Sequence, residues 1–191
     1  MYIPPRIYYF NSPLRINQEL FIAFSGKYDK IFIGDTVKTF ETLVKKLIEN
    51  KMKIAAAESC TAGLFSSFLA SVPGASEIME YGFVVYSERA KIDVLGVPSE
   101  IIEENGVVSE KTAEFMADGA AKRAGADVSV GITGFAGPSS DAGYPVGRVC
   151  FGFYYNGKTE ALTKEFGDIG RNAVREKAAI FAAEKILELF F

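Results

Sequence analysis

The chain contains no histidine and no tryptophan, and only two of its 191 residues are cysteine. The missing histidine excludes a Ser-His-Asp relay, a Cys-His pair and any imidazole-ligated metal built from this chain alone. Cys60 and Cys150 are too few for a disulfide framework and lack the spacing of metal ligands, so no metal is expected. No Lys/Arg-rich run is present and the net charge is −3, which argues against a nucleic-acid partner. No apolar stretch approaches the about 20 residues that span a bilayer. Pro4 and Pro5 stand where a signal peptide would place its apolar centre. A cytoplasmic protein without a membrane partner is the expectation.

Apolar residues make up 49% of the chain, enough for one substantial core. Residues 1–34 differ from the rest: Tyr, Ile and Pro crowd the first ten positions, Asn11-Ser12-Pro13 reads as a turn, Leu20 to Phe24 as a strand or helix turn, and Lys30 to Ile33 as a short strand stopped by Gly34. This segment is too short to hold its own core and is expected to be an appendage packed on the main domain or on a partner. The main domain is expected over 35–191. Asp35 reads as an N-cap, followed by a helical stripe of Val37, Phe40, Leu43, Val44, Leu47 and Ile48. Ile54 to Ala57 predicts a strand. Leu64, Phe65, Phe68, Leu69 and Val72 predict a second helix that Pro73-Gly74 stops. A strand is expected over Gly82 to Tyr86, short helices over Ala90 to Leu95 and Ser99 to Glu104, and a longer helix from the Ser109 cap to about Lys122. Val128, Val130 and Ile132 alternate as a strand should. After a Gly/Pro/Ser-rich loop, Asn156-Gly157 marks a hairpin between Val149 to Tyr155 and Thr159 to Phe166. Val174, Ala178, Phe181, Ala182, Ile186 and Leu189 form the inward stripe of a closing helix, Arg171 to Phe190. Alternating helices and strands interrupted by a hairpin predict a three-layer α/β/α sandwich with a mixed sheet.

Three strands run into polar or glycine-bearing loops: Glu58 to Gly63, Tyr86 to Lys91, and Thr133 to Pro138. Ligands of open α/β sheets bind outside the carboxyl ends of parallel strands, so these loops share one rim if their strands are parallel. Ser59 reads either as a nucleophile at a helix start or as a plain N-cap. Cys60 is a rival nucleophile or an inert buried thiol. Glu58 either orients its neighbours, accepting a helix N–H, or is a surface carboxylate. Lys91 serves as general base only if burial or a neighbouring cation lowers its pKa, with Tyr86 as a proton relay; otherwise the two are a surface lysine and a packed tyrosine. Gly134 and Gly137 let backbone approach a ligand or simply shape a tight loop. Arg175 is placed to hold phosphate or is merely solvated.

In this order, the segments Ala57-Glu58-Ser59-Cys60-Thr61 with Gly63, Ser71-Val72-Pro73-Gly74, Val85-Tyr86-Ser87 with Ala90-Lys91, Leu95-Gly96-Val97, Gly106-Val107-Val108-Ser109, Gly125-Ala126-Asp127, Thr133-Gly134 with Ala136-Gly137-Pro138, Pro145-Val146-Gly147, and Phe166-Gly167-Asp168 ahead of Arg171 and Arg175 resemble the C-terminal domain of the CinA competence/damage-inducible family. That family includes stand-alone nicotinamide mononucleotide deamidases. The resemblance covers the chain from about Asp35 onward. It implies an amidohydrolase that converts nicotinamide mononucleotide and water to nicotinate mononucleotide and ammonia, working as a homodimer on this pyridine nucleotide without a cofactor. Ser59 matches the nucleophile, and Lys91 and Tyr86 match its base or relay. Glu58, Cys60, Thr61, Gly63, Thr133, Gly134, Gly137 and Arg175 match the substrate-binding set. The resemblance also implies that amides after Ser59, at the helix start, stabilise an oxyanion. The sequence departs from the family pattern at Ala62, where a second glycine is usual, at Ser139, Ser140 and Asp141, at Arg148 and at Ile169-Gly170. The alternatives are a non-catalytic nucleotide-binding or regulatory module and an accessory factor in DNA uptake or repair.

Overall fold

The computed structural model describes residues 30–140 and 143–191, and side chains from position 36 onward. The expectations for residues 1–29 lie outside the described residues. The compact unit described here runs from Gly34 to Phe191. Its elements in chain order are α1 (Lys30–Glu49), β1 (Ile54–Glu58), α2 (Leu64–Ala70), β2 (Met79–Val84), α3 (Glu88–Leu95), α4 (Ser99–Asn105), α5 (Glu110–Ala124), β3 (Val128–Gly134), β4 (Arg148–Tyr155), β5 (Lys158–Glu165) and α6 (Arg171–Phe190).

The five strands form one mixed sheet in the order β2-β1-β3-β4-β5. β1 pairs in parallel with both β2 and β3, with Glu58 opposite Val84 on one side and Ile132 on the other. β3 and β4, and then β4 and β5, pair antiparallel. The hairpin turn puts Asn156 at φ 46° and Gly157 at φ 87°, the left-handed pair that a two-residue type I′ turn requires. One core joins Phe40, Leu43 and Leu47 of α1, Phe65 and Leu69 of α2, and Ala178, Ala182 and Ile186 of α6 to the sheet face bearing Val130, Ile132 and Phe151. A second packs Leu95, Ile102, Met116 and Ala120 from α3, α4 and α5 against Ala55 and Ala57 on the opposite face. These are the expected three layers.

Three expectations need correction. The first helix begins at Lys30 rather than after an Asp35 cap, so the strand expected over Lys30 to Ile33 and its stop at Gly34 are absent. A four-residue apolar run has no period that separates strand from helix, and an interior glycine costs only about 1 kcal/mol relative to alanine. Val37, expected on the inward stripe, is 46% exposed, and the buried stripe starts at Phe40. Strand β2 also ends two residues before Tyr86, which therefore lies in the loop. Among the described residues no helix is long and apolar enough to cross a membrane.

Helix α5 approaches the sheet where Gly131 and Gly152 lie opposite each other in register. A Cβ on Gly152 would meet the Ala113 carbonyl oxygen at 2.2 Å, and one on Gly131 would meet the same atom at 2.3 Å. The colliding atom is backbone, so the helix itself would have to move. Gly152→Ala is therefore expected to lower unfolding stability by about 1–3 kcal/mol, read as a reduced urea midpoint with an unchanged m-value.

Candidate active site

Because β2, β1 and β3 are parallel, the residues that follow them emerge on one rim. Ser59 continues the ladder past β1: its amide donates to the Ile132 carbonyl at 2.9 Å, while the Glu58 carbonyl accepts from the Val85 amide at 2.9 Å. Lys91 is reached from β2 through a short loop and the first turn of α3, which Ser87 caps by accepting from the Ala90 amide at 3.1 Å. Lys91 and Leu95 are four residues apart and share the core-facing side of α3, both buried. A lysine at a core position turns its amine under the sheet edge.

The amine lands on Ser59. Lys91 Nζ donates to Ser59 Oγ at 3.2 Å, to the Val85 carbonyl at 3.1 Å and to the Tyr86 carbonyl at 3.5 Å. Lys91 is fully buried, and Ser59 keeps 8% of its surface. Burial lowers the Lys91 pKa from 10.5 to about 8, against a smaller opposite pull from Cys60 and Glu88. About a tenth of the amine is then neutral at pH 7, against less than about a thousandth for an ordinary lysine. The serine hydroxyl therefore has a base within hydrogen-bond reach whose pKa is matched to neutral solution.

Glu58 has a task different from substrate binding. Its side chain is fully buried. Oε2 accepts from the amides of Gly63 and Phe65 at 2.9 and 3.1 Å, and Oε1 from the amide and hydroxyl of Ser66 at 2.9 and 2.6 Å. Helix α2 starts only at Leu64, after Gly63 in the left-handed region at φ 91°, and has no side-chain cap of its own. Ser59 is therefore not its N-cap. The amides at this helix start, expected to hold an oxyanion, are taken by the protein's own carboxylate. Cys60 packs in the apolar core, and burial pushes its thiol up to about 12, which keeps it protonated and removes it as a rival nucleophile.

Arginines on α6 hold the loops together. Arg175 donates from Nε to the Cys60 carbonyl at 3.1 Å and from Nη2 to the Thr61 carbonyl at 3.0 Å, with Nη1 on Asn172 Oδ1 at 3.2 Å. Arg171 donates to the Gly137 carbonyl at 2.6 Å and to the Tyr86 hydroxyl at 2.8 Å, linking the loops after β2 and β3. Tyr86 thus meets Lys91 through its main chain; the hydroxyl expected to relay a proton bonds Arg171, and the ring is 57% exposed. Thr133 is buried, and its hydroxyl donates to the Val107 carbonyl at 2.9 Å. Gly134 is set by packing, since a Cβ there would meet the Arg148 carbonyl at 2.7 Å, whereas Gly137 sits at φ 96° in the turn that Arg171 holds. Thr61 is sealed, and its hydroxyl has no hydrogen-bond partner among the described residues.

Arg171 was not among the expected site residues, yet the sequence carries a signal for it. It is the first residue of α6, whose first turn holds no acidic residue. A cation at the positive end of a helix dipole is unfavourable unless it has another partner.

The CinA C-terminal domain model matches residues 37–190. This chain belongs to the CinA C-terminal domain family. It is 43% identical over 145 residues to a CinA-like protein of Kosmotoga olearia, covering 75% of this chain and 35% of that one. It is 42% identical over 127 residues to a putative competence-damage inducible protein of Caldicellulosiruptor bescii, covering 66% and 31%. The chain thus spans about a third of the length of these curated relatives. Among solved structures it is similar to a CinA superfamily protein of Escherichia coli (TM-score 0.78, 33% identity, 81% of this chain and 90% of that one). It is also similar to a competence or damage-inducible protein of Enterobacter asburiae (TM-score 0.78, 36% identity, 80% and 96%). Two of the departures noted in the sequence, Ala62 and Arg148, have a defined place in this structure. Ala62 is exposed and takes φ 50°, a left-handed conformation that explains the usual glycine. Arg148 pairs with Glu165 at 2.9 Å and lies over the Tyr144 ring at 4.7 Å.

Glu58→Gln keeps the size of the side chain but aims an NH₂ group at donors. It is expected to cost about 1–3 kcal/mol in stability, measured by chemical unfolding, because amides at the start of α2 lose their acceptor.

Proposed function

We propose that this CinA-family domain is a serine amidohydrolase that deamidates nicotinamide mononucleotide, with Ser59 as nucleophile and Lys91 as its base. The observation that carries the reading is the 3.2 Å contact between Ser59 Oγ and a buried amine whose pKa is lowered to about 8. Neutral Lys91 accepts the Ser59 proton as Oγ bonds to the carboxamide carbon. The carbonyl π pair moves to oxygen. Collapse of this tetrahedral species breaks the C–N bond, and the Lys91 ammonium delivers its proton to the departing nitrogen, which leaves as ammonia. Water, deprotonated by the now neutral Lys91, attacks the Ser59 ester; as the C–O bond breaks, the Lys91 ammonium returns that proton to Ser59 Oγ, and the acid released gives its own proton to ammonia and leaves as the carboxylate. Protons balance over the cycle, and one amine serves both halves. The choice of a pyridine nucleotide rests on the family resemblance; the contact itself supports amide hydrolysis more broadly.

Purified protein is expected to release ammonia from nicotinamide mononucleotide, and Ser59→Ala and Lys91→Met each to lose at least about 10³-fold in kcat/KM while melting cooperatively. Nucleotide binding without turnover, seen by calorimetry, would favour a regulatory module instead.

Only the neutral amine is a base. The log of kcat/KM is therefore expected to rise with unit slope as pH approaches about 8 and to level above it, as Lys91 loses its proton. A rate flat from pH 6 to 9 would remove Lys91 from this role.

A further inference from the structure

We infer that the Cys60 backbone amide is the oxyanion donor of this site, and that Arg175 is a positioning residue that acts on the main chain of residues 60–61 instead of on substrate. The inference rests on the serine amidohydrolase reading and deepens it. An account of the amides after β1 locates the donor. The Ser59 amide donates to Ile132, the Ala62 amide to the Ser59 carbonyl at 3.1 Å, and the Leu64 amide to the Thr61 carbonyl at 3.2 Å. Those of Gly63, Phe65 and Ser66 belong to Glu58. Only the Cys60 and Thr61 amides have no acceptor beyond their own residue among the described residues. A buried amide that no other residue accepts from is costly, so such a donor retained next to a nucleophile points to a ligand. Thr61 is 0% exposed, whereas Cys60 keeps 5% although its thiol packs into the core. Of the two, the amide of the residue directly after Ser59 belongs to the one with residual exposure.

The Ser59–Ala62 turn presents that amide, and Arg175 fixes the turn from behind. Its bonds at 3.1 and 3.0 Å fall on two successive carbonyls, and Asn172 holds the third nitrogen. A planar fork spanning two carbonyls sets the orientation of both peptide planes; a single ammonium does not. When Ser59 Oγ bonds to the carboxamide carbon, the π pair is displaced onto oxygen, and the Cys60 N–H donates a hydrogen bond to that oxyanion. The pair returns to re-form the carbonyl as the C–N bond breaks.

The test uses Arg175→Ala and Arg175→Lys, with pyridine-3-boronic acid as a probe that adds to a serine oxygen and becomes a tetrahedral anion. Both variants are expected to lose about 10²–10³-fold in kcat with KM within about threefold. Boronate affinity should fall in parallel while nicotinate mononucleotide binds as before, and guanidinium ion should restore part of the Arg175→Ala rate. If Arg175→Ala does not melt cooperatively, Arg175→Lys carries the comparison. Replacing residue 60 by its α-hydroxy acid, which exchanges the N–H for an ester oxygen, is expected to give a kcat loss of the same order. A raised KM with kcat intact would place Arg175 on the substrate and overturn the inference. So would unchanged kcat and boronate affinity in the ester variant. Wild-type protein that neither releases ammonia nor forms a boronate adduct would overturn the serine reading together with this one. An adduct without ammonia release would overturn only the substrate, and boronate affinity would then decide.

Discussion

The site depends on a buried carboxylate meeting four donors at the end of the central strand. Glu58 takes the amides of Gly63, Phe65 and Ser66 and the Ser66 hydroxyl. In doing so it fixes where α2 begins relative to β1. The five residues between have few conformations left: Ser59 is pinned to Ile132, and the turn closes through Ala62. Charge-assisted bonds are the strong ones, and here one side chain satisfies donors that a helix start would otherwise leave unpaired. The same occupancy means that the helix start is closed to substrate anions.

A second constraint acts on Lys91. Burial of an amine disfavours its charged form, and the pull of Glu88 only partly offsets that cost, because the hydrogen-bond partners of Lys91 are two carbonyls and a serine. The result is a base near neutral pH in a chain without imidazole. Two arginines on α6 complete the arrangement, one holding the 60–61 carbonyls and the other bridging Tyr86 to Gly137. The rim is therefore tied from the sheet side by Glu58 and from the helix side by α6.

The layered architecture was legible because period and punctuation agree over long stretches: Val128, Val130 and Ile132 alternate, Asn156-Gly157 turns, and Ser109 caps α5 by accepting from Thr112. The start of α1 was not legible, since a short apolar run followed by glycine suits either strand or helix. The site was legible only in part. Ser59 and Lys91 came together as the motif order implied, but no local pattern revealed that Lys91 is buried; the only hint is that it stands one turn before the core residue Leu95. For Glu58 the reading that it accepts helix amides holds, but the sequence alone did not choose it, because a strand-end carboxylate has the same sequence whether it faces a ligand or the next helix. Tyr86 was expected through its hydroxyl and enters through its carbonyl, which no residue identity encodes.

The two groups that meet in the site sit on different pieces of the fold. Ser59 follows the central strand, while Lys91 rides on an eight-residue helix beyond an edge strand whose residues are largely exposed. Such peripheral units open by subglobal fluctuation more readily than a sheet interior does. If α3 lifts, the amine regains water, its basicity returns to that of a free lysine, and the serine is left without a base although the rest of the sheet stays intact. The proposed hydrolysis would in that sense depend on how often this one helix is seated.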